Sequence, residues 1–569
     1  MLEPPNPGPH SGCPLGALGG GCIGRGYRGD FRRWSLHPGK YSHETVHGNQ
    51  FSLRIKRGNV IYSKVLSIFD GKQAEKPLRC WDWGVPADRV TYHSVFPRAW
   101  TEFREPVPGV NVEILQISPV IPNNYSDASL PCCVFEVNVT NLAQESIECS
   151  VMFTFQNSDG TPVDTEPLDS QGFAHSSFTI NKSKHCDAAN LDTQEMSEGD
   201  DSSNSADMLT YEGVCMARHH ITRVLHDEAT SSVPLHVHRD KAESGLESPN
   251  SDEDVDNRDP STTSSSLNGK KFNHDEFVYS DPGSFAIATT SSQNVEDNFI
   301  QDISTCDRFV VSTKDKRSLP TNYISASDLW SSFHETGSLR SLTIQDGIVS
   351  GETSQLKACA ENFKHQSCAA AVCAQRCITV GSTPALFKFA LAWDNPVVRF
   401  GAGRGYLRYH SRFFGSSGLS APSIAAYALH QVDLWNSAIE EWQHSIVEDD
   451  SLPEYYRHLL FNELYYLVDG GTVWIEAEPM ETVNAKSDNE SSRRFTSVPD
   501  SQRNRLLPHV AVIENNFIGT TECELASALS CQSSVQVDFI AEYMKSNDVA
   551  VEKCQVYHNF SMLSVNIMY

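Results

Sequence analysis

Basic charge is scarce in this chain of 569 residues: 45 lysines and arginines stand against 72 aspartates and glutamates, for a net charge of −27. That balance argues against a nucleic-acid groove or a surface for anionic membranes, both of which recruit lysine and arginine. Small neutral or sugar-like ligands stay compatible with it. Long hydrophobic runs are missing too; no stretch of about 18 apolar residues occurs, so no segment reads as membrane-spanning. The N-terminal Met1-Leu2-Glu3-Pro4-Pro5 has neither a basic start nor an apolar core, so neither a signal peptide nor an anchor is expected there. Sixteen cysteines are present without a Cys-x-x-Cys pair or a framework spacing. They read as reduced thiols of a cytoplasmic protein, not as a disulfide scaffold. The acceptor triplet Asn124-Tyr125-Ser126 is then a chance match. Hydrophobic residues make up only 39%, and the deficit lies mainly in one polar stretch.

What is present is a succession of short alternating segments. Phe51, Leu53 and Ile55 share one strand face, as do Phe135, Val137 and Val139, and Val151, Phe153 and Phe155. Turn residues such as Asp70-Gly71, Pro108-Gly109 and Pro122-Asn123-Asn124 separate them. Alternation returns at Phe387, Phe389, Leu391 and Trp393, between small or polar neighbours. Many short strands with polar turns predict an antiparallel β-sandwich. Between them, residues 182–275 are crowded with Ser, Asp, Glu, Asn and Thr, too little apolar area to offset ordering entropy. This stretch is expected to be a disordered acidic insertion, with short ordered pieces near Val214 to Val224.

Helical periodicity begins after Gly418. Ile424, Tyr427, Ala428, Val432, Trp435, Ile439, Trp442 and Ile446 recur at three- and four-residue steps, with Ser420 and Pro422 as start signals. A second helix from about Pro453 would pack Tyr456, Leu459, Leu460, Leu464 and Leu467 and end at Gly470-Gly471. The fold class expected is mainly β with C-terminal α. In that reading 1–181 and 276–403 form two parts of the sandwich, 404–419 a connector, 420–486 the start of an (α/α)6 barrel, and 487–569 a polar linker and atypical tail. Trp435 and Trp442 would lack partners in so short a piece of barrel unless they pack back on the sandwich.

Several motifs have dull explanations. Gly19-Gly20-Gly21-Cys22-Ile23-Gly24-Arg25-Gly26 superficially looks like a dinucleotide loop, yet no apolar strand precedes it and no amphipathic helix follows. A tight turn needing glycine torsions explains it better. Cys368, Cys373 and Cys377 lack the close pairing of zinc ligands. His37, His43, His47 and His219-His220 show no ligand spacing either. Neither a metal nor a cofactor is expected.

Three segments carry a family resemblance: Gly19 to Phe31, Trp34-Ser35-Leu36-His37-Pro38-Gly39, and Phe461 to Glu476 with its Asp469-Gly470-Gly471-Thr472-Val473-Trp474 core. With them the chain resembles the non-lysosomal glucosylceramidases, the bile-acid β-glucosidases of glycoside hydrolase family 116, as a plant-like member truncated after the first barrel helices. The resemblance implies a retaining β-glucosidase acting on glucosylceramide or another β-glucoside, with peripheral contact at the cytosolic face of membranes. It also places the family nucleophile in a Tyr-Leu-Glu-Gly segment, and no such segment occurs in this chain. A retaining enzyme needs two carboxyl groups about 5–5.5 Å apart, one of them kept protonated. Glu463, Asp469 and Glu476 are the local candidates if the chain turns over substrate. The reading favours structural roles for them, Glu463 in a hydrogen bond on its helix and Asp469 in the double-glycine turn. Two hypotheses stand: a family of enzymes by ancestry, or a catalytically silent β-sandwich module that binds sugar, lipid headgroups or a full-length homologue.

Overall fold

Alternation along the sequence becomes two antiparallel sheets packed face to face. In the computed structural model, residues 12–37, 40–156, 171–183, 208–220, 283–291, 301–313, 324–339, 366–399, 405–468, 472–479 and 509–512 are described. The larger sheet runs Gln171–Ser183, Met208–His220, Gly283–Thr290, Ala385–Asp394, Cys132–Asn141, Val110–Ile117, Arg98–Val107, Val90–Val95. The smaller runs Ile324–Ser325, Asp302–Thr313, Gln366–Ile378, Ile147–Gln156, Gln50–Arg57, Val60–Val65 and is antiparallel apart from its first pair. Facing residues of both sheets interleave in one core. Phe51 stacks on Phe153 at 4.4 Å and meets Phe135 and Phe389 edge-on. The three expected strand faces and Phe387, Phe389, Leu391 and Trp393 all lie in this core. Each such side chain contributes about 1.5–3 kcal/mol by leaving water.

The opposite parity is buried as well, which half-solvated antiparallel sheets do not require. Ala286, Ala288, Ala390 and Ala392 point outward, and their short side chains receive a helix, Ala421–Val447. Across the molecule Ala369, Ala371 and Cys373 play the same part for the helix Ala326–Thr336. These two helices are α2 and α1, and a third, Glu454–Asn462, is α3. The result is helix on sheet on sheet on helix. Helix α1 is capped by Ser325, whose Oγ accepts from Asp328 N at 3.0 Å, and it ends at Gly337 in the left-handed region. The buried guanidinium of Arg54 donates to the carbonyls of His334 and Glu335 in its last turn, where the dipole favours a cation.

Helix α2 buries the stripe expected from its periodicity, including Ile424, Val432, Trp435 and Ile439, and does so against the sandwich. Its start differs from expectation. Ser420 makes no side-chain cap; its backbone N–H instead donates to Asp394 Oδ2 at 2.8 Å. The second helix also differs. Helix α3 tightens at Glu463–Leu467 into a 3-10 turn, and this change of pitch moves the apolar stripe. Phe461, Leu464 and Val468 are the buried residues, while Tyr456 and Leu459 are exposed.

Within the expected insertion, 182–275, the ordered piece expected near Val214 to Val224 is described as a strand that begins earlier, at Met208. Met208–His220 is a strand of the larger sheet and buries Val214 and Met216 on its core face and Tyr211 on the opposite face, toward α2. The rest of that span, 184–207 and 221–275, lies outside the described residues. The connector 404–419 contains the strand Gly405–Arg408 and the helical turn Ser411–Phe414. Of the linker and tail, His509–Val512 is described, as a strand paired with Thr472–Pro479.

Candidate functional site

All three segments that carry the family resemblance meet at one buried arginine. Arg408 closes the strand Gly405–Arg408 and is 2% exposed. Its Nη1 donates to Gly19 O at 3.3 Å and its Nη2 to Leu36 O at 2.6 Å. Opposite Arg408 in the ladder stands Ile475, so the strand Thr472–Pro479 is held alongside. Burial lowers the Arg408 pKa to about 10, against the opposing pull of the Asp394 carboxylate. The glycine run turns at Gly19 to Gly21, with Gly16, Gly19 and Gly21 at positive φ, but Cys22–Arg25 is a strand, not a turn. Gly19 lets Trp474 approach, and Trp474 N donates to Gly19 O at 3.4 Å. Gly20 O accepts from Trp393 Nε1 at 3.1 Å. Tyr125 and Tyr409 flank the Trp474 ring at 5.9 and 6.1 Å.

A second pair of buried acids ties the helices to this centre. Asp394, fully buried, accepts from His410 Nε2 at 3.0 Å and from the N–H that opens α2. Asp127 follows the Asn124 cap of a short helical turn. It accepts from Tyr427 Oη at 2.8 Å and Trp435 Nε1 at 3.0 Å. Asn124 is committed here, since its Nδ2 donates to Asp127 Oδ2 and its Oδ1 accepts from Asp127 N. Further along α2, Arg98 donates to Asn436, Glu440 and Gln443 and lies over the Trp100 ring.

Of the three sequence candidates, Glu463 alone has a described side chain. Glu463 opens the 3-10 turn and is exposed. Asp469 lies outside the described residues, and Glu476 is described only as a position on the strand Thr472–Pro479. Among the described residues the buried acids are Asp30, Asp127 and Asp394. Asp127 and Asp394 are fully engaged in the bonds above, and Asp30 faces Arg32 at 3.6 Å. These three buried acids position segments, and among them no general acid stands beside a nucleophile.

Sequence reasoning missed Arg98, Asp127, Asp394, Arg408 and His410. A readable signal existed for two of them: Asp127 closes Asn124-Tyr125-Ser126-Asp127, an Asx-turn pattern, and Asp394 ends the apolar run Phe387 to Trp393.

A family model described as beta-glucosidase 2, glycosyl-hydrolase family 116 N-term, matches residues 12–435. The chain belongs to glycosyl-hydrolase family 116. The matched stretch covers the whole sandwich and runs into α2 as far as Trp435, which donates to Asp127 in the helical turn Tyr125–Ala128. The N-terminal region of this family 116 chain thus includes the first half of that helix.

Eleven of its cysteines lie among the described residues, and none of these forms a disulfide there. Cys368 sits on the strand face opposite Cys373 and Cys377, and no metal-holding group of His, Cys, Asp or Glu is found among the described residues. Burial pushes the thiols of Cys22, Cys133, Cys306 and Cys373 up to about 12. With a disulfide reagent such as DTNB, Cys80 and Cys377, both exposed, should react first. The four buried thiols should wait for unfolding. Mass mapping that finds any of them labelled as fast as Cys80 would contradict this placement.

Proposed function

We propose that this chain is the substrate-side β-domain of a retaining β-glucosidase that hydrolyses glucosylceramide or a related β-glucoside, with nucleophile and acid/base carried on an (α/α)6 barrel. The observation that supports it most is the convergence of the three family segments on Arg408. A cluster of backbone carbonyls gathered on one guanidinium fixes loops to within the tolerance that positioning of a substrate demands. In this proposal a membrane contact is peripheral and on the cytosolic side; no helix among the described residues is long and apolar enough to cross a bilayer.

Retention requires two carboxyl groups at a separation of about 5–5.5 Å. The engaged state of Asp127 and Asp394 and the exposure of Glu463 support a domain that turns over nothing by itself. The test is hydrolysis of a fluorogenic β-glucoside by the 569-residue chain beside a polypeptide extended through a barrel containing Tyr-Leu-Glu-Gly. Turnover is expected from the extended polypeptide alone. Turnover by the short chain that disappears in Glu463→Gln, Asp469→Asn or Glu476→Gln would overturn the proposal. The alternative of an interaction module is favoured by one observation, the exposure of Leu434, Tyr455 and Leu459 on the outer sides of α2 and α3. It is read by light scattering, where a stable complex without any turnover from the extended polypeptide would establish it.

A further inference from the structure

Away from Arg408 the outer surface of the smaller sheet carries a cleft of about 520 Å³, within the range of small-ligand sites. Strand Val60–Val65, Asp82, the turn at Pro106–Pro108 and helix α1 form its walls. We infer that this cleft binds a neutral saccharide.

Its lining combines the two surfaces a sugar ring presents. Trp330 and Tyr62 supply aromatic area for the C–H faces of a pyranose. Trp330 ends a stack of three indoles, lying 5.3 Å and 16° from Trp81, which in turn lies 6.1 Å and 15° from Trp83. Around them stand Ser63, Lys64, Asp82 and His334 for the hydroxyl rim. Lys64 Nζ donates to Asp82 Oδ1 at 2.9 Å, and Ser63 Oγ shares a hydrogen bond with His334 Nδ1 at 2.9 Å. A carboxylate so held still has its second oxygen to accept from a ligand hydroxyl, and a charge-assisted bond of this kind is stronger than a neutral one.

Charge narrows the ligand class. Lys64 and Asp82 neutralise each other, and Glu335 on the rim adds a negative charge, so anionic ligands are disfavoured. A bare alkyl chain would leave the ion pair and the Ser63–His334 pair facing hydrocarbon, at a desolvation cost. A polyol meets both requirements. The cleft is also preformed. Trp81 Nε1 donates to Ala326 O in the first turn of α1 at 2.9 Å, and Arg54 holds the carbonyls of its last turn. The helix that brings Trp330 and His334 is therefore pinned at both ends, which cuts the ordering cost of binding.

Saturation-transfer NMR on the full chain tests this with methyl β-D-glucopyranoside and cellobiose as free sugars. Co-sedimentation with phosphatidylcholine vesicles, with and without glucosylceramide, tests a lipid-borne headgroup. Saturable binding is expected in at least one arm, and Asp82→Asn should weaken it about tenfold. Asp82 is more than half exposed, so that variant should keep the thermal midpoint of the parent. Asp70→Asn, at an exposed site outside the cleft, should bind as the parent does. No saturable binding in any arm would overturn the inference. So would binding unchanged in Asp82→Asn, or sedimentation with plain vesicles as strong as with glucosylceramide. Because binding is read on this chain directly, the result is separable from the hydrolysis test of the proposed function.

Discussion

Asp127→Ala should destabilise the sandwich by about 3–5 kcal/mol, as expected when one partner of a buried polar network is removed. The carboxylate is 8% exposed and joins three donors, Tyr427 Oη, Trp435 Nε1 and Asn124 Nδ2. Burial, then the Asp127 charge, pushes the Tyr427 phenol well above its ordinary range, so at any working pH it is a neutral O–H that must donate. Alanine removes the acceptor that both that O–H and the Trp435 N–H use. The Asp127→Asn variant keeps an acceptor oxygen and should lose about half as much. Calorimetry should show a fall in the midpoint on the order of 10 °C for alanine. A shift under about 2 °C would mean that α2 does not depend on this contact.

Gly19→Ala should be nearly as damaging and more local. At Gly19 φ is +73°, and an added Cβ would stand 2.2 Å from Trp474 N and 2.5 Å from Trp474 Cβ. Backbone on both sides leaves no flexible end to yield. The cost of overpacking plus left-handed strain is about 3 kcal/mol or more. Gly58→Ala is the control: φ is +56° there, but the new Cβ meets nothing within 4 Å, so only about 1 kcal/mol of strain is expected. Hydrogen exchange at 472–475 should rise sharply in Gly19→Ala and stay at parental rates in Gly58→Ala. Equal protection in both would show that the strand Thr472–Pro479 is held by something other than the glycine loop.

Much of the sandwich was legible because its signal is local. Phe51, Leu53 and Ile55, or Phe387, Phe389 and Leu391, announce their strand by alternation alone, and alternation survives into the fold because each parity has its own face. The α2 stripe was legible for the same reason at a different period. The α3 stripe was read right at Leu464 and Leu467 and wrong at Tyr456 and Leu459, because the switch to a 3-10 turn at Glu463 has no mark in composition. The strand Met208–His220 was legible only in part, near Val214, because the polar residues before and after it set the average that a composition argument uses. Least legible was the centre at Arg408. Its partners Gly19 and Leu36 are hundreds of residues away in the chain and are backbone carbonyls, which every residue type possesses. Candidate acids were sought in the motif at Phe461 to Glu476, whereas the engaged acids lie at Asp127 and Asp394, where tertiary contact alone gives them partners.

The pairing of Met208–His220 with Gly283–Thr290 sets Arg218 opposite Gly283. The two strands are successive among the described residues and form an antiparallel hairpin whose inner ends leave the sheet one strand spacing apart, about 5 Å. The eight pairs from Tyr211 with Thr290 to Arg218 with Gly283 run without a register shift, so the alignment of this hairpin is set by the strands themselves.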